Sequence, residues 1–392
     1  MIDRRAFIKG LAVSAAAFCA LPLNRVWAYP LPPGHQRLIV LFLRGGLDGL
    51  YAIAPVDDPL LASRRPTLST TVHDQGIRLA GTGFAAHPSC AGLATLFAAG
   101  ELSFAPCAGS TDTSRSHFQA QDLFELGTGN IHGPSGFMAR AATALGGAGS
   151  AISFTQEVPL SFQGLNVPPA VAPLSGSGLK LPQGKLLDAI RQAHAGLTTG
   201  EALEQAIATE TAIESTVGMD VTAARGAPAV NGFPGLAQHM GRLLVSQPQL
   251  GLVFFDLGGF DTHVSQDGIL SRSLENFSTG LLALKDALGT EEWRRTRVAV
   301  MTEFGRTVRE NGTKGTDHGH GGLALLAGGA VRGGRQLGGF NGLDDASLNQ
   351  NRDLPVEVDW RDLLSSAMRD AYGFDKAALN RIFPGRPGKN WS

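Results

Sequence analysis

The chain has 392 residues, 33 basic against 34 acidic side chains for a formal net charge of −1, and a hydrophobic share of 43%. That length suits one large domain with insertions, or two domains, and the near-even charge balance excludes a strongly basic nucleic-acid binder. The apolar share supplies a sizeable core, and past the N-terminal segment no stretch reaches the about 20 apolar residues a membrane span needs.

Met1 to Lys9 carries the pair Arg4-Arg5 with Phe7 and Lys9 at the spacing of twin-arginine export signals. An uncharged, alanine-rich stretch from Gly10 to Asn24 follows, and Val26-Trp27-Ala28 has the small or tolerated residues of a cleavage site before Tyr29-Pro30. The predicted precursor therefore has a signal peptide over 1–28 and a mature chain over 29–392. It engages the twin-arginine export machinery, ends in the periplasm or outside the cell, and keeps no stable membrane insertion after cleavage. Removing Arg4, Arg5, Lys9 and Arg25 against Asp3 leaves 29 basic and 33 acidic residues, a mature charge of about −4. Cys19 leaves with the signal; Cys90 and Cys107 stay, as one disulfide or as two buried thiols.

In chain order, Arg37 to Leu43 is an apolar run ending in Arg44-Gly45-Gly46, which predicts a strand buried on both faces of a parallel sheet. Pro88 to Ala99 reads as a helix, Leu102 to Pro106 as a short strand, and Ser116 to Leu126 as a second helix closed by Gly127. Phe162 to Gly184 is proline-rich and loop-like, and Leu186 to Val217 is a long helical pattern; together they suggest a helical insertion over about 162–248. Leu250 to Leu257 and Arg297 to Thr302 are further buried strands flanking a helix over Leu274 to Leu288. Leu323 to Ala327 lies among glycines as a hairpin or strand margin, and Val356 to Phe383 closes the chain as a helical segment. Alternating strands and helices predict an α/β fold with a mostly parallel sheet flanked by helices.

Open α/β sheets bind ligands beyond the carboxyl ends of their strands, and the chemistry-bearing residues fall there. Asp48 follows the first strand; Asp261 and His263 follow the strand ending near Asp256; Glu303 ends the next, with Asp317, His318 and His320 shortly after. Carboxylates with imidazoles and no thiolate suit a divalent metal: zinc, magnesium, calcium or manganese. Ser116 opens a helix with Gln119 three residues on, a capping-box spacing. A helix start also attracts anions, and a serine there beside a metal is a candidate nucleophile toward phosphorus or sulfur. Ser116 is the first choice and Ser114 the second, with Arg115 and His117 steadying the charged group.

The blocks Leu41 to Leu50, Ser116 to Asp122, Gly259 to His263, Glu303 to Thr307, Gly315 to Gly322 and Gly328 to Gly334 resemble a bacterial family of exported proteins, domain-of-unknown-function family 1501. It is placed within the alkaline-phosphatase-like superfamily, with alkaline phosphatases, sulfatases and cofactor-independent phosphoglycerate mutases. The resemblance runs in order along almost the whole mature chain. It implies a single alkaline-phosphatase-like domain over 29–392 and a two-metal site: Asp48 on one metal, Asp261 and His263 on the other, Ser116 as nucleophile. Glu303 stands where an Asp-His pair begins, and His318 or His320 would be a late ligand. Two departures stand out. Phe304 replaces the histidine of that pair, and Asp261 and His263 are separated by one residue where alkaline phosphatases have a wider gap. The implied function is metal-dependent hydrolysis of a phosphate or sulfate ester, small-molecule or polymer-borne; the alternative is a non-catalytic metal- or ligand-binding protein on the same fold.

Overall fold

The computed structural model describes residues 34–155, 158–165, 169–171, 188, 191–192, 232–386 and 391. The predicted signal peptide over 1–28 lies outside these residues, as does the helical pattern of Leu186 to Val217 apart from residues 188 and 191–192. Twelve strands are described: β1 Arg37–Leu43, β2 Ile53–Ala54, β3 Ile77–Arg78, β4 Ala85–Ala86, β5 Leu102–Gly109, β6 Ala151–Phe154, β7 Ala170–Val171, β8 Leu252–Leu257, β9 Thr296–Thr302, β10 Gly322–Ala327, β11 Arg335–Gln336 and β12 Val358–Asp359. The central sheet has the order β11-β5-β10-β9-β1-β8-β6-β7, with β12 beside β5, and β2-β4-β3 form a small antiparallel sheet.

β1 pairs in parallel with both β8 and β9, and β8 with β6. Among the described strands of this sheet only β10 is reversed, antiparallel to β5 and to β9. The fold is thus mixed α/β around a mostly parallel sheet. Continuous apolarity in β1 follows from cover on both faces. Ile39, Leu41 and Leu43 enter a core with Leu96, Met240, Leu274 and Leu281, from the helices Ala91–Ala98, Phe233–Ser246 and Gln266–Arg294. Leu38, Val40 and Phe42 face the opposite core, with Phe124, Phe137, Trp360 and Leu364 from the helices His117–Leu126, Phe137–Ala144 and Trp360–Tyr372. The alternation of strand side chains sorts one unbroken hydrophobic run into two layers.

Several boundaries differ from the sequence reading. β5 runs on to Gly109, because Cys107 and Ala108 are buried and the ladder to β10 continues past Pro106. The helix expected over Leu274 to Leu288 spans Gln266–Arg294, with a non-helical Gly289 where two helices meet. The C-terminal segment splits: Asp359 caps the helix Trp360–Tyr372, left-handed Gly373 ends it, and Asp375 caps a second helix, Lys376–Ile382. Among the described residues no helix is long and apolar enough to cross a membrane.

Cys90 and Cys107 are free and buried, so the open choice at these positions resolves to two thiols. Burial raises both pKa values, that of Cys107 to about 12. Neither is expected to react with a thiol reagent in the folded protein; both should label once it is denatured.

Candidate metal site

The reversed strand makes the site. β5, β9, β1 and β8 run parallel, so their carboxyl ends share one edge, and antiparallel β10 begins at that edge. The segments after β5 (Ser110 to His117), after β1 (Arg44 to Asp48), after β8 (Gly258 to His263) and after β9 (Glu303 to Arg306) meet there. The segment before β10, Thr316 to Gly321, joins them.

His117, Asp261 and His318 offer ligand atoms within 4.8 Å of one another, a group that could hold a metal ion. His117 Nε2 lies 3.0 Å from His318 Nε2 and 3.4 Å from Asp261 Oδ2. His318 Nε2 is 3.4 Å from Asp261 Oδ1. His263 adjoins this group: its Nε2 is 2.9 Å from Asp261 Oδ1, 3.0 Å from His318 Nε2 and 3.4 Å from Arg306 Nη1. Asp261 and His263 are 44% and 39% exposed, so the cluster is open to solvent.

The other nitrogen of each ring is tied outward. His117 Nδ1 faces Glu303 Oε1 at 2.7 Å, His318 Nδ1 faces the Arg115 carbonyl at 2.9 Å, and His263 Nδ1 faces Asp317 Oδ1 at 3.4 Å. A carboxylate or carbonyl accepts only, so each Nδ1 donates outward and each Nε2 is turned toward the cluster. The Arg306 guanidinium borders them, its Nη2 on Asp261 Oδ1 and its Nη1 3.4 Å from His263 Nε2, and a proton or metal cation shared among the Nε2 atoms would complete the balance of charge. Zn–N distances of about 2.0–2.1 Å at tetrahedral angles place ligand atoms roughly 3.3 Å apart, close to the separations here. The residues fit a divalent metal, with Glu303, Asp317 and the Arg115 carbonyl orienting the rings.

Electrostatics agree. The Glu303 hydrogen bond raises the His117 pKa against the cost of burial, favouring positive charge at that point. Burial lowers that of His318. For Asp261 burial acts upward, but the Arg306 guanidinium and the nearby histidines outweigh it and hold the carboxyl below its usual range. Glu303 behaves alike: burial pushes upward, and His117, Gln121 and the Gly45 amide bring it down.

Asp48 is not among these groups. It is 1% exposed, and its Oδ2 accepts from Arg65 Nη1 at 2.7 Å and Gln266 Nε2 at 2.6 Å. Its Oδ1 accepts from the Tyr51 amide, capping a short helix. Gln266 Oε1 in turn accepts from Thr262 and Thr316, the neighbours of Asp261 and Asp317. Asp48 therefore supports the two ligand-bearing segments from beneath. His320 also points elsewhere, its Nε2 3.0 Å from the Ser110 carbonyl. Glu303 and Asp317 stand behind histidines. The Arg115 guanidinium reaches Asp353 instead of the cluster.

Arg306 pairs with Asp261 and donates to the Gly45 and Gly46 carbonyls at 2.6 Å each. The two glycines are required: a Cβ on Gly45 would lie 2.5 Å from the Asp261 amide, and one on Gly46 2.6 Å from the Phe304 ring. Phe304 packs against His117 and His318 with ring centroids 4.8 and 4.9 Å away, an aromatic floor under the two rings. Ser116 is the N-cap of the helix His117–Leu126, but its side chain makes no capping bond and the capping box does not form. The Ser114 hydroxyl is engaged by Asp112 and the Ser116 amide. The sequence reading passed over Arg65, Gln266 and Asp353, none of which sits in a motif.

No curated protein matches the chain. Among solved structures, that of Ps i-CgsB in complex with k-i-k-neocarrahexaose is similar at 11% identity and a TM-score of 0.38, over 90% of this chain and 75% of that one. That of Ps i-CgsB alone gives 12% and 0.37 over the same shares. Scores this low carry no argument about fold or chemistry. The sequence itself matches DUF1501, described as a protein of unknown function, across residues 35–386, and the chain belongs to that family.

Proposed function

We propose that this chain is a metal-dependent hydrolase of phosphate or sulfate esters on an alkaline-phosphatase-like scaffold, with one divalent metal held by His117, Asp261, His263 and His318. The observation that carries the reading is the gathering of His117, His263 and Asp261 around His318 Nε2 at 3.0–3.4 Å, each ring fixed from behind. A divalent cation bound there would polarise the ester as a Lewis acid. Ser116 adjoins His117, its hydroxyl is free of the cap, and the first-turn amides of its helix are the unpaired donors that favour an anion. In the proposed reaction Ser116 Oγ bonds to phosphorus or sulfur, the bond to the ester oxygen breaks, and the serine proton ends on the departing alcohol. Water then cleaves the serine ester and restores the hydroxyl. Phe304 favours one metal over two.

The same ring supports the second reading, a binding protein that holds metal without turnover. Metal analysis of the mature protein and an ester panel on wild type and Ser116→Ala separate the two. One metal per chain and a loss of at least about 10³-fold in Ser116→Ala is expected. Activity that survives the substitution contradicts the Ser116 mechanism, metal without turnover selects the binding protein, and neither metal nor turnover overturns the enzyme.

A further inference from the structure

We propose that the buried carboxylate of Asp353, acting through Arg115, positions the metal-facing nitrogen of His318. The inference rests on the metal reading above. Arg115 has φ 53°, a left-handed conformation that an L residue keeps only when its surroundings impose it. The restraint is its own side chain: Nε and Nη2 donate to Asp353 Oδ2 at 3.2 and 2.8 Å, and Nη2 also to Gln350 Oε1 at 2.9 Å. Asp353 is fully buried. Its other oxygen accepts from Asn349 Nδ2 at 2.7 Å, and its carbonyl accepts from the Asn349 amide at 2.8 Å, which pins the carboxylate in a tight turn.

What Arg115 presents to the site is its backbone. With this φ its carbonyl accepts from His318 Nδ1 at 2.9 Å, the one hydrogen bond of that nitrogen among the described residues. The bond fixes the proton on Nδ1 and leaves Nε2 free to face Asp261, His117 and His263. Asp353 is outside the cluster and touches none of its ligands. Among the described residues its link to the cluster runs through Arg115, so Arg115 and Asp353 are positioning residues.

The test uses the whole mature chain. Nitrogen-15 NMR of the His318 ring in metal-free protein reports the tautomer, and competition titration with Zn²⁺ alone reports affinity, for wild type, Asp353→Asn, Arg115→Ala and Arg115→Gly. In wild type the proton is expected on Nδ1. Asp353→Asn and Arg115→Ala should give mixed tautomers and bind Zn²⁺ about 10–100-fold more weakly, the usual effect of losing an outer partner of a ligand histidine. Glycine takes positive φ without strain, so Arg115→Gly should recover most of the affinity lost in Arg115→Ala. An unchanged His318 tautomer in Asp353→Asn and Arg115→Ala, or equal losses with glycine and alanine, would overturn the inference. If wild type binds no Zn²⁺ the metal reading fails, while the tautomer comparison still decides whether Arg115 sets His318.

Discussion

His318→Ala is expected to weaken Zn²⁺ binding by about 10²–10³-fold while the metal-free protein keeps its fold. Four-ligand zinc sites bind with apparent free energies of about 10–16 kcal/mol, roughly 3 kcal/mol per ligand, which sets that range. His318 is the hub of the cluster: its Nε2 is 3.0 Å from the Nε2 atoms of both His117 and His263. Its side chain is 24% exposed, so trimming it opens no sealed cavity. The natural control is His320→Ala. Both histidines stand in one glycine-rich segment, but His320 bonds the Ser110 carbonyl and should bind Zn²⁺ as wild type does. Competition against a chromophoric chelator reads both variants, and equal losses would mean that the cluster is misassigned.

The second large effect is on stability. Asp48→Ala should cost about 3–5 kcal/mol in metal-free protein, the usual penalty for leaving a buried charge without its partner. Arg65 is fully buried, and its Nε and Nη2 are committed to the Val308 and Thr307 carbonyls, so its Nη1 has no route to water once Asp48 is gone. The Gln266 amide loses its acceptor as well, which loosens the bonds from Gln266 to Thr262 and Thr316. Removing both charges, as Asp48→Ala with Arg65→Met, should recover part of the loss. Urea unfolding with a chelator present measures the effect. A metal ligand would show the opposite pattern, with little change in metal-free protein and a large loss of metal affinity.

The central strands and their order along the chain were legible because a parallel sheet covered on both faces writes unbroken apolar runs, as in β1, β8 and β9. Their carboxyl ends then located the edge that carries the cluster. Three of the four proposed ligands, Asp261, His263 and His318, were legible as carboxylate and imidazole residues at those ends. His117 was noticed for a different task, steadying the charged group, since a helix start says nothing about which way a ring will turn. Asp48 looked like a ligand because an acid after a glycine pair at a strand end has the same sequence form whether it faces solvent or a buried arginine. What separates the cases is Arg65, 17 residues on and in no motif. Asp353 was invisible for a similar reason: its partner Arg115 is 238 residues away. The capping-box spacing of Ser116 and Gln119 did not become a capping bond, because spacing permits that geometry without enforcing it.

The most direct test of the metal site is the coordination sphere itself, read by X-ray absorption and anomalous diffraction on mature protein loaded with Zn²⁺. One metal per chain is predicted, bound by Nε2 of His117, His263 and His318 and by an oxygen of Asp261, with Asp48 and His320 outside the sphere. A metal bound through Asp48 or His320, a pair of metals, or no ordered metal at this cluster would contradict it.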